Sequence, residues 1–190
     1  MKQESKQNKN VGTSVTGNDI ETTQNTMHVL DENKVLKKSY EDVVYISQPF
    51  GATSLNTLAA RALLFGLNPV SLKKARVLEL GCSFGGNIIS QALYYPEASF
   101  TGIDLSSSQI KMGNELIASM GLTNIHLIEK DILDIDESFG IFDYIIVHGI
   151  WSWVPDVVKD KILSICNKNL FDNGVAYVSY NTYPGWKRLE

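Results

Sequence analysis

From residue 76 onward, short apolar segments alternate with amphipathic ones, and this alternation constrains the fold more than any other feature. The apolar segments have the length of strands, and the amphipathic segments repeat apolar residues at helical spacing. Such an alternation predicts an α/β fold, with a parallel sheet of five strands and helices on both faces. The predicted strands are residues 76–80, 99–104, 124–129, 142–147 and 174–180, and the predicted helices between them are residues 86–95, 107–120 and 156–170.

Two details of the helices are predicted from spacing and capping. In the helix over residues 107–120, four apolar side chains are expected to face inward, namely Ile110, Leu116, Ile117 and Met120. A further helix precedes the first strand, with Thr53 or Ser54 as its N-cap and Gly66 and Pro69 ending it.

The ends of the chain differ from its centre. Residues 1–36 are rich in Gln, Asn, Thr, Ser and Lys, and they carry too little apolar surface to offset the entropy of ordering. They are expected to form a disordered polar tail, and residues 37–190 to form one domain. That domain stops before the antiparallel strand pair that commonly completes such a sheet, so we expect it to be truncated at its C-terminus.

Composition narrows the class of protein. The net charge is −4, which gives no reason to expect a nucleic-acid partner. Two cysteines, Cys82 and Cys166, are too few for a disulfide framework, and no apolar run is long enough for membrane insertion. We therefore expect a soluble, cytoplasmic protein, and no cluster of side chains suggests a metal site.

The stretch "LELGCSFGGN", residues 78–87, is typical of a strand that runs into a glycine-rich cofactor turn. Gly81 and Gly85 fit the outer positions of G-x-G-x-G, but Ser83 stands at the middle position. A serine that must adopt positive φ costs about 1–2 kcal/mol. If that strain arose only on binding, cofactor affinity would fall roughly tenfold.

Acidic residues follow the predicted strands. Glu79 precedes the glycine turn, Asp104 ends the second strand, and Asp131 with Ile132 follows the third. Asp104 is placed to accept the hydroxyls of a ribose, and Asp131 to accept from an adenine amino group. The glycines alone fit a dinucleotide turn equally well, but Glu79 disfavours a pyrophosphate and favours S-adenosylmethionine, which carries no phosphate.

Four strings, "VLELGCSFGGN", "FTGIDLSSSQI", "EKDILDI" and "FDYIIVHG", resemble in order the cofactor motifs of class I S-adenosylmethionine-dependent methyltransferases, which have a Rossmann-like fold. Others, above all "SYNTYPGW", resemble the bacterial methyltransferases with a C-terminal regulatory domain, a group that includes rickettsial protein-lysine methyltransferases. The resemblance implies cofactor contacts from Glu79, Gly81, Ser83, Gly85, Asp104, Leu105, Asp131, Ile132 and His148. It also implies that the side chains nearest the transferred methyl are His148, Tyr180, Asn181 and Tyr183.

The resemblance implies methyl transfer to a protein substrate, on a lysine side chain. An aromatic pocket would favour the neutral amine, and its candidate residues are Trp151, Trp153, Tyr180, Tyr183 and Trp186. His148 is either a base or a hydrogen-bonded wall residue. Two alternatives stay open: a truncated, inactive methyltransferase-like domain or pairing subunit, and a nicotinamide-linked oxidoreductase. The expected partners, besides a protein substrate, are a second copy of the chain or a complementing C-terminal segment.

Overall fold

In the computed structural model, residues 47–182 and residue 185 are described. The predicted tail, residues 1–36, therefore lies outside the described residues, as do Tyr183 and Trp186. The described strands are β1 (Arg76–Leu80), β2 (Ser99–Asp104), β3 (Ile125–Glu129), β4 (Phe142–Val147) and β5 (Leu170–Val178). They form one sheet in the order β3-β2-β1-β4-β5, and every pair in it is parallel.

Helices cover both faces of this sheet. They are α1 (Leu55–Leu64), α2 (Gly86–Tyr94), α3 (Ser107–Ser119) and α4 (Asp156–Lys168). One buried cluster joins α1, α2 and α3 to the sheet, and a second joins α4 to the opposite face. The predicted α/β class, with a Rossmann-like methyltransferase sheet of five parallel strands, is confirmed.

Alternation along β1 decides which side chains meet which helices. Val77 belongs to the cluster on the α1–α3 face, whereas Leu78 and Leu80 belong to the cluster on the α4 face. Because successive strand residues point to opposite faces, Glu79 shares the side of Val77 and points towards α2. The Glu79 carboxyl group is thus buried on this face, together with the polar side chains of Thr53, Asn87 and Gln91.

The helix boundaries and one helical face differ from the prediction. Residue 169 was expected inside the last helix, but α4 ends at Lys168 because buried Asn169 donates its side-chain N–H groups to the carbonyls of Asp136 and Gly140, each at 2.9 Å. The chain can then begin β5 at Leu170, four residues earlier than predicted. Of the two candidate caps of α1, Ser54 is the one whose side chain accepts from the Thr57 N–H.

On α3, the inward face is narrower than predicted. Ile110 and Ile117 are each 6% exposed, as expected, but Leu116 and Met120 are 39% and 42% exposed. The third inward position is Gly113, where a Cβ atom would lie only 2.4 Å from Leu127 Cδ1 and from the Phe84 carbonyl oxygen. Residues 110, 113 and 117 share one helical face, and this close approach leaves Leu116 and Met120 at its margins.

Candidate functional site

Because all five strands are parallel, their carboxyl ends meet along one side of the sheet, which we call the carboxyl edge. The glycine-rich loop lies there, between β1 and α2. Gly81, Ser83 and Gly85 all have positive φ, of 68°, 54° and 82°. Ser83 is the one non-glycine residue with positive φ in the part of the chain that the structure describes. The loop thus alternates left-handed residues as a G-x-G-x-G turn requires, with a serine in the middle position.

Asp104 and Gln109 are two of the residues that hold Ser83 in this conformation. Its backbone N–H donates to Asp104 Oδ2 at 2.8 Å, and its hydroxyl bonds to the Gln109 side-chain oxygen. The residue is only 7% exposed. These contacts within the chain set the left-handed conformation on folding, so the tenfold loss of affinity expected for strain arising on binding does not follow.

Asp104 joins the turn to the next loop. Its Oδ2 accepts from Ser83, and its Oδ1 accepts from the Ser106 backbone N–H at 2.9 Å. A carboxylate has about four lone-pair sites, so roughly two remain for another donor. Leu105, which follows it, is half-buried. Asp104 is thus fixed in direction while keeping acceptor capacity at the carboxyl edge.

Glu79 lies deeper, with 3% of its surface exposed. Its Oε1 accepts from the Asn87 side-chain N–H at 2.7 Å, whereas its Oε2 is buried and has no hydrogen-bond partner among the residues described. Burial raises the pKa of this carboxyl to about 8; the Asn87 hydrogen bond lowers it, and nearby Asp104 raises it. A carboxyl group with this pKa is mostly protonated at neutral pH, which weakens the electrostatic argument against a pyrophosphate.

The end of β3 presents a third acid in a different setting. Asp131 Oδ1 accepts from the Leu133 backbone N–H at 2.9 Å and so caps a short 3-10 turn, Ile132–Asp134. Ile132 is half-buried and packs against the α4-side cluster. This geometry neither requires nor prevents contacts with an adenine, so the roles of Asp131 and Ile132 stay predictions.

The ends of β4 and β5 are joined through Ser179. Its Oγ accepts from the Gly149 backbone N–H at 2.9 Å and lies 3.1 Å from His148 Nδ1. The His148 ring is 4.1 Å from the Phe50 ring, centroid to centroid. Burial lowers the pKa of His148, which favours its neutral form. A neutral imidazole held in this way can act as a base or as a wall residue, so both interpretations stand.

The predicted aromatic pocket is not assembled from the described residues. Trp153 and Tyr180 are 56% and 64% exposed, and Trp151 packs against the α4-side cluster. Asn181, predicted near the methyl, donates its backbone N–H to Ser152 Oγ at 2.8 Å and so ties the end of β5 to the loop after β4. The remaining members, Tyr183 and Trp186, lie outside the described residues.

Other parts of the chain lie close against two glycines, Gly81 and Gly86. A Cβ atom on Gly81 would lie 2.0 Å from Ile150 Cδ1, and one on Gly86 would lie 2.2 Å from the Ser47 carbonyl oxygen. The loop after β4 and the segment before α1 therefore occupy the space beside these two glycines.

Sequence reasoning missed four residues that shape the site, namely Phe50, Asn87, Gln109 and Ser179. A signal existed for two of them. Asn87 and Gln109 both lie in the first turn of a predicted helix, 86–95 or 107–120. The structure shows in addition that they are 2% and 1% exposed, and a buried amide requires specific partners. Phe50 and Ser179 carried no comparable signal, because their contacts depend on tertiary structure.

Between residues 47 and 182, no three His, Cys, Asp or Glu side chains are grouped so that they could hold a metal ion. Over the same part of the chain, no helix has both the length and the apolar character needed to span a membrane.

The two neighbours of Ser83 lead to a prediction about stability. Ser83→Ala keeps a Cβ in the left-handed region and loses the hydroxyl bond to Gln109, at a cost of about 1 kcal/mol. Ser83→Gly loses the same bond but relieves about 1–2 kcal/mol of strain, partly offset by roughly 0.5–1 kcal/mol of glycine entropy. Urea unfolding should therefore find Ser83→Gly more stable than Ser83→Ala. Equal stabilities, or the reverse order, would show that the left-handed backbone is not strained.

The buried Glu79 carboxyl should make stability depend on pH. Between an unfolded pKa near 4.5 and a folded pKa of about 8, the folded chain holds one more proton than the unfolded chain. Stability from this group is therefore greatest at low pH and falls by up to about 1.4 kcal/mol per pH unit as pH rises towards 8. Glu79→Gln cannot titrate, so its free energy of unfolding should fall less steeply over this range. Parallel curves for the two proteins would contradict the assignment.

Comparison with known proteins identifies the architecture. Residues 71–183 match the methyltransferase domain family. The chain is similar to the Rickettsia prowazekii (strain Madrid E) proteins RP789, with 49% identity over 150 residues, and RP028, with 45% identity over 153 residues. These matches cover 79% and 80% of this chain.

A solved structure, that of PKMT2 from Rickettsia typhi in complex with AdoHcy, matches with 46% identity and a TM-score of 0.73 over 75% of this chain. The chain spans 27% of RP789, 61% of RP028 and 28% of the PKMT2 chain. The family match covers more than half of the 190 residues and includes the glycine-rich loop and all five strands. The chain therefore belongs to the methyltransferase domain family.

Proposed function

We propose that this domain binds S-adenosylmethionine and takes part in transferring its methyl group to a protein lysine. The observation that carries the proposal is the left-handed glycine-rich loop, hydrogen-bonded to Asp104 and adjoining the buried Glu79 at the carboxyl edge. Family membership supports methyl transfer. AdoHcy in the Rickettsia typhi structure supports the choice of cofactor, because AdoHcy is what remains of S-adenosylmethionine after its methyl group leaves.

The residues at the carboxyl edge fit this cofactor. Glu79 Oε2 is a buried acceptor without a partner in the described part of the chain, and an ammonium group or a bridging water would supply the missing donor. Asp104 keeps acceptor capacity for ribose hydroxyls. The remaining proposed contacts are made by Gly81, Ser83, Gly85, Leu105, Asp131, Ile132 and His148.

The bound cofactor supplies an electrophilic methyl group on a sulfonium. The chain's own contribution is to orient the acceptor and to exclude water around it. Burial favours the neutral form of His148, and its Nδ1 lies against Ser179 Oγ. In the tautomer in which Nδ1–H donates to that hydroxyl, Nε2 carries the lone pair that accepts a proton from the incoming amine. Tyr180 and Asn181 follow β5, and Asn181 is hydrogen-bonded to Ser152 in the loop after β4. We keep both, with Tyr183, as proposed acceptor-side residues.

A protein lysine is the acceptor that the comparisons support best. The sequence resembles rickettsial protein-lysine methyltransferases, and the 46% identity to PKMT2 extends through three quarters of this chain. Acceptor specificity in this fold resides in segments added to the sheet, so the identity of the protein substrate is a separate question.

We also infer a soluble, cytoplasmic protein. Cys82 and Cys166 are both free thiols, which suits a reducing compartment. Strand β5 pairs with β4 and with no other strand among the residues described, so one side of its backbone is available for pairing. A second copy of the chain or a complementing C-terminal segment would cover that strand.

Isothermal titration with AdoHcy tests the cofactor assignment. The wild-type chain should bind AdoHcy, and Asp104→Asn should bind at least about tenfold more weakly, because an amide cannot accept from both Ser83 and Ser106 and also receive ribose hydroxyls. Asp160→Asn, on the exposed side of α4, is the matched control and should bind as wild type does. Binding of NAD in place of AdoHcy would support an oxidoreductase, and binding of neither would refute the proposal.

The acceptor is tested with methyl-labelled S-adenosylmethionine and two peptides of equal charge, one containing lysine and the other arginine at the same positions. Label should enter the lysine peptide only, and His148→Gln should slow the transfer more than it weakens AdoHcy binding. Transfer to the arginine peptide, or to hydroxyl or carboxyl groups in both peptides, would contradict a lysine acceptor.

A further inference from the structure

Asn87 occupies a central position that the proposed cofactor contacts do not include. It lies in the first turn of α2 and is 2% exposed. Its side-chain N–H donates to Glu79 Oε1 at 2.7 Å, and its Oδ1 accepts from the Phe50 backbone N–H at 3.1 Å and from the Thr53 hydroxyl at 2.9 Å. The Phe50 N–H fixes the orientation of the amide, since the flipped group would point N–H at N–H. The Thr53 hydroxyl has one proton, which it shares between Asn87 Oδ1 and the Phe50 carbonyl oxygen, each at 2.9 Å.

The partners of Asn87 Oδ1 belong to residues 47–53, which we call the crossing segment. At one end of this segment, the Ser47 carbonyl oxygen lies 2.2 Å from where a Cβ on Gly86 would stand. In its middle, the Phe50 ring packs 4.1 Å from the His148 ring at the end of β4. The segment therefore runs over the carboxyl edge, from the start of α2 to the proposed acceptor side.

One amide thus links three parts of the site. Through Nδ2 it contacts the carboxyl group of Glu79, whose other oxygen has no hydrogen-bond partner in the described part of the chain. Through Oδ1 it contacts the segment that reaches His148. Hydrogen bonds in a buried network polarise one another, so a change at one end alters the bond at the other. If the role of Asn87 were purely structural, replacing it would change the stability of the protein without changing the pKa of Glu79 or the affinity for the cofactor.

We propose that Asn87 is a positioning residue: it couples the Glu79 carboxyl to the crossing segment, so that cofactor binding and the placement of Phe50 against His148 are set together. This inference rests on the proposed function, but part of its test does not. Asn87 need not touch the cofactor, because it acts through Glu79 on one side and through Phe50 and Thr53 on the other.

The first variant is Asn87→Asp. It keeps an acceptor for Phe50 and Thr53, removes the donor to Glu79, and places a second carboxyl beside it. The last proton of the pair should then leave at a higher pH than the proton of Glu79 alone, as followed by carbon NMR of labelled carboxyl groups. Affinity for AdoHcy at neutral pH should fall about tenfold.

Two further variants separate positioning from folding. In Glu79→Gln/Asn87→Asp, the amide introduced at position 79 donates to the carboxylate introduced at position 87, so thermal stability should recover while AdoHcy affinity stays low. Asn124→Asp is the matched control. The Asn124 side chain donates to the carbonyls of Ala92, Tyr95 and Ala98, so this change should lower stability and leave AdoHcy affinity unchanged.

Coupling to the crossing segment is tested with Thr53→Val, which removes one donor to Asn87 without changing side-chain size. It should weaken AdoHcy binding about threefold in wild type and have no effect in Asn87→Asp, where the link to Glu79 is already broken. Additive effects in the double variant would overturn the coupling.

The outcomes distinguish this inference from the proposed function. If wild type binds AdoHcy while Asn87→Asp binds it with unchanged affinity and unchanged pH dependence, the inference fails and the function stands. If wild type does not bind AdoHcy, the proposed function fails. The NMR titration then still decides whether Asn87 sets the ionisation of Glu79, and an unchanged midpoint overturns the inference.

Discussion

The parallel pairing of β1 with both β2 and β4 is the constraint on which the site depends. It places the glycine-rich loop between the end of β2, which supplies Asp104, and the end of β4, which supplies His148. It also buries β1 on both faces, so that any polar group within it needs a partner. Glu79 is such a group, and the Asn87 amide satisfies one of its two oxygens.

Sequence periodicity was sufficient for the fold. Five strands and the helices between them were predicted within a few residues, because short apolar runs and helical spacing report directly on burial. The errors arose where tertiary contacts override local pattern. Asn169 ends α4 through hydrogen bonds to residues that lie about thirty positions earlier. On α3, Gly113 packs against β3, whereas the sequence predicts that Leu116 and Met120 face inward.

For the site, the sequence predicts which residues lie at the carboxyl edge of the sheet but not which groups they hydrogen-bond to. The sequence predicts the glycine turn and, if its middle position needs positive φ, a left-handed serine. It does not show the hydrogen bonds of Ser83 to Asp104 and Gln109. The charge state of Glu79 could not be inferred either, because it depends on how deeply the side chain is buried. The crossing segment was missed because its bonds join residues more than thirty positions apart.

The two hydrogen bonds that Asp104 accepts, from Ser83 and from Ser106, have a consequence for the entropy cost of binding a ligand. A free aspartate loses rotamer freedom when it engages a ligand, and that loss subtracts from affinity. Here two backbone N–H groups have already removed this freedom during folding. The carboxylate that we propose as the acceptor of the ribose hydroxyls is therefore pre-organised, because the entropy of ordering its side chain is lost on folding and not on binding.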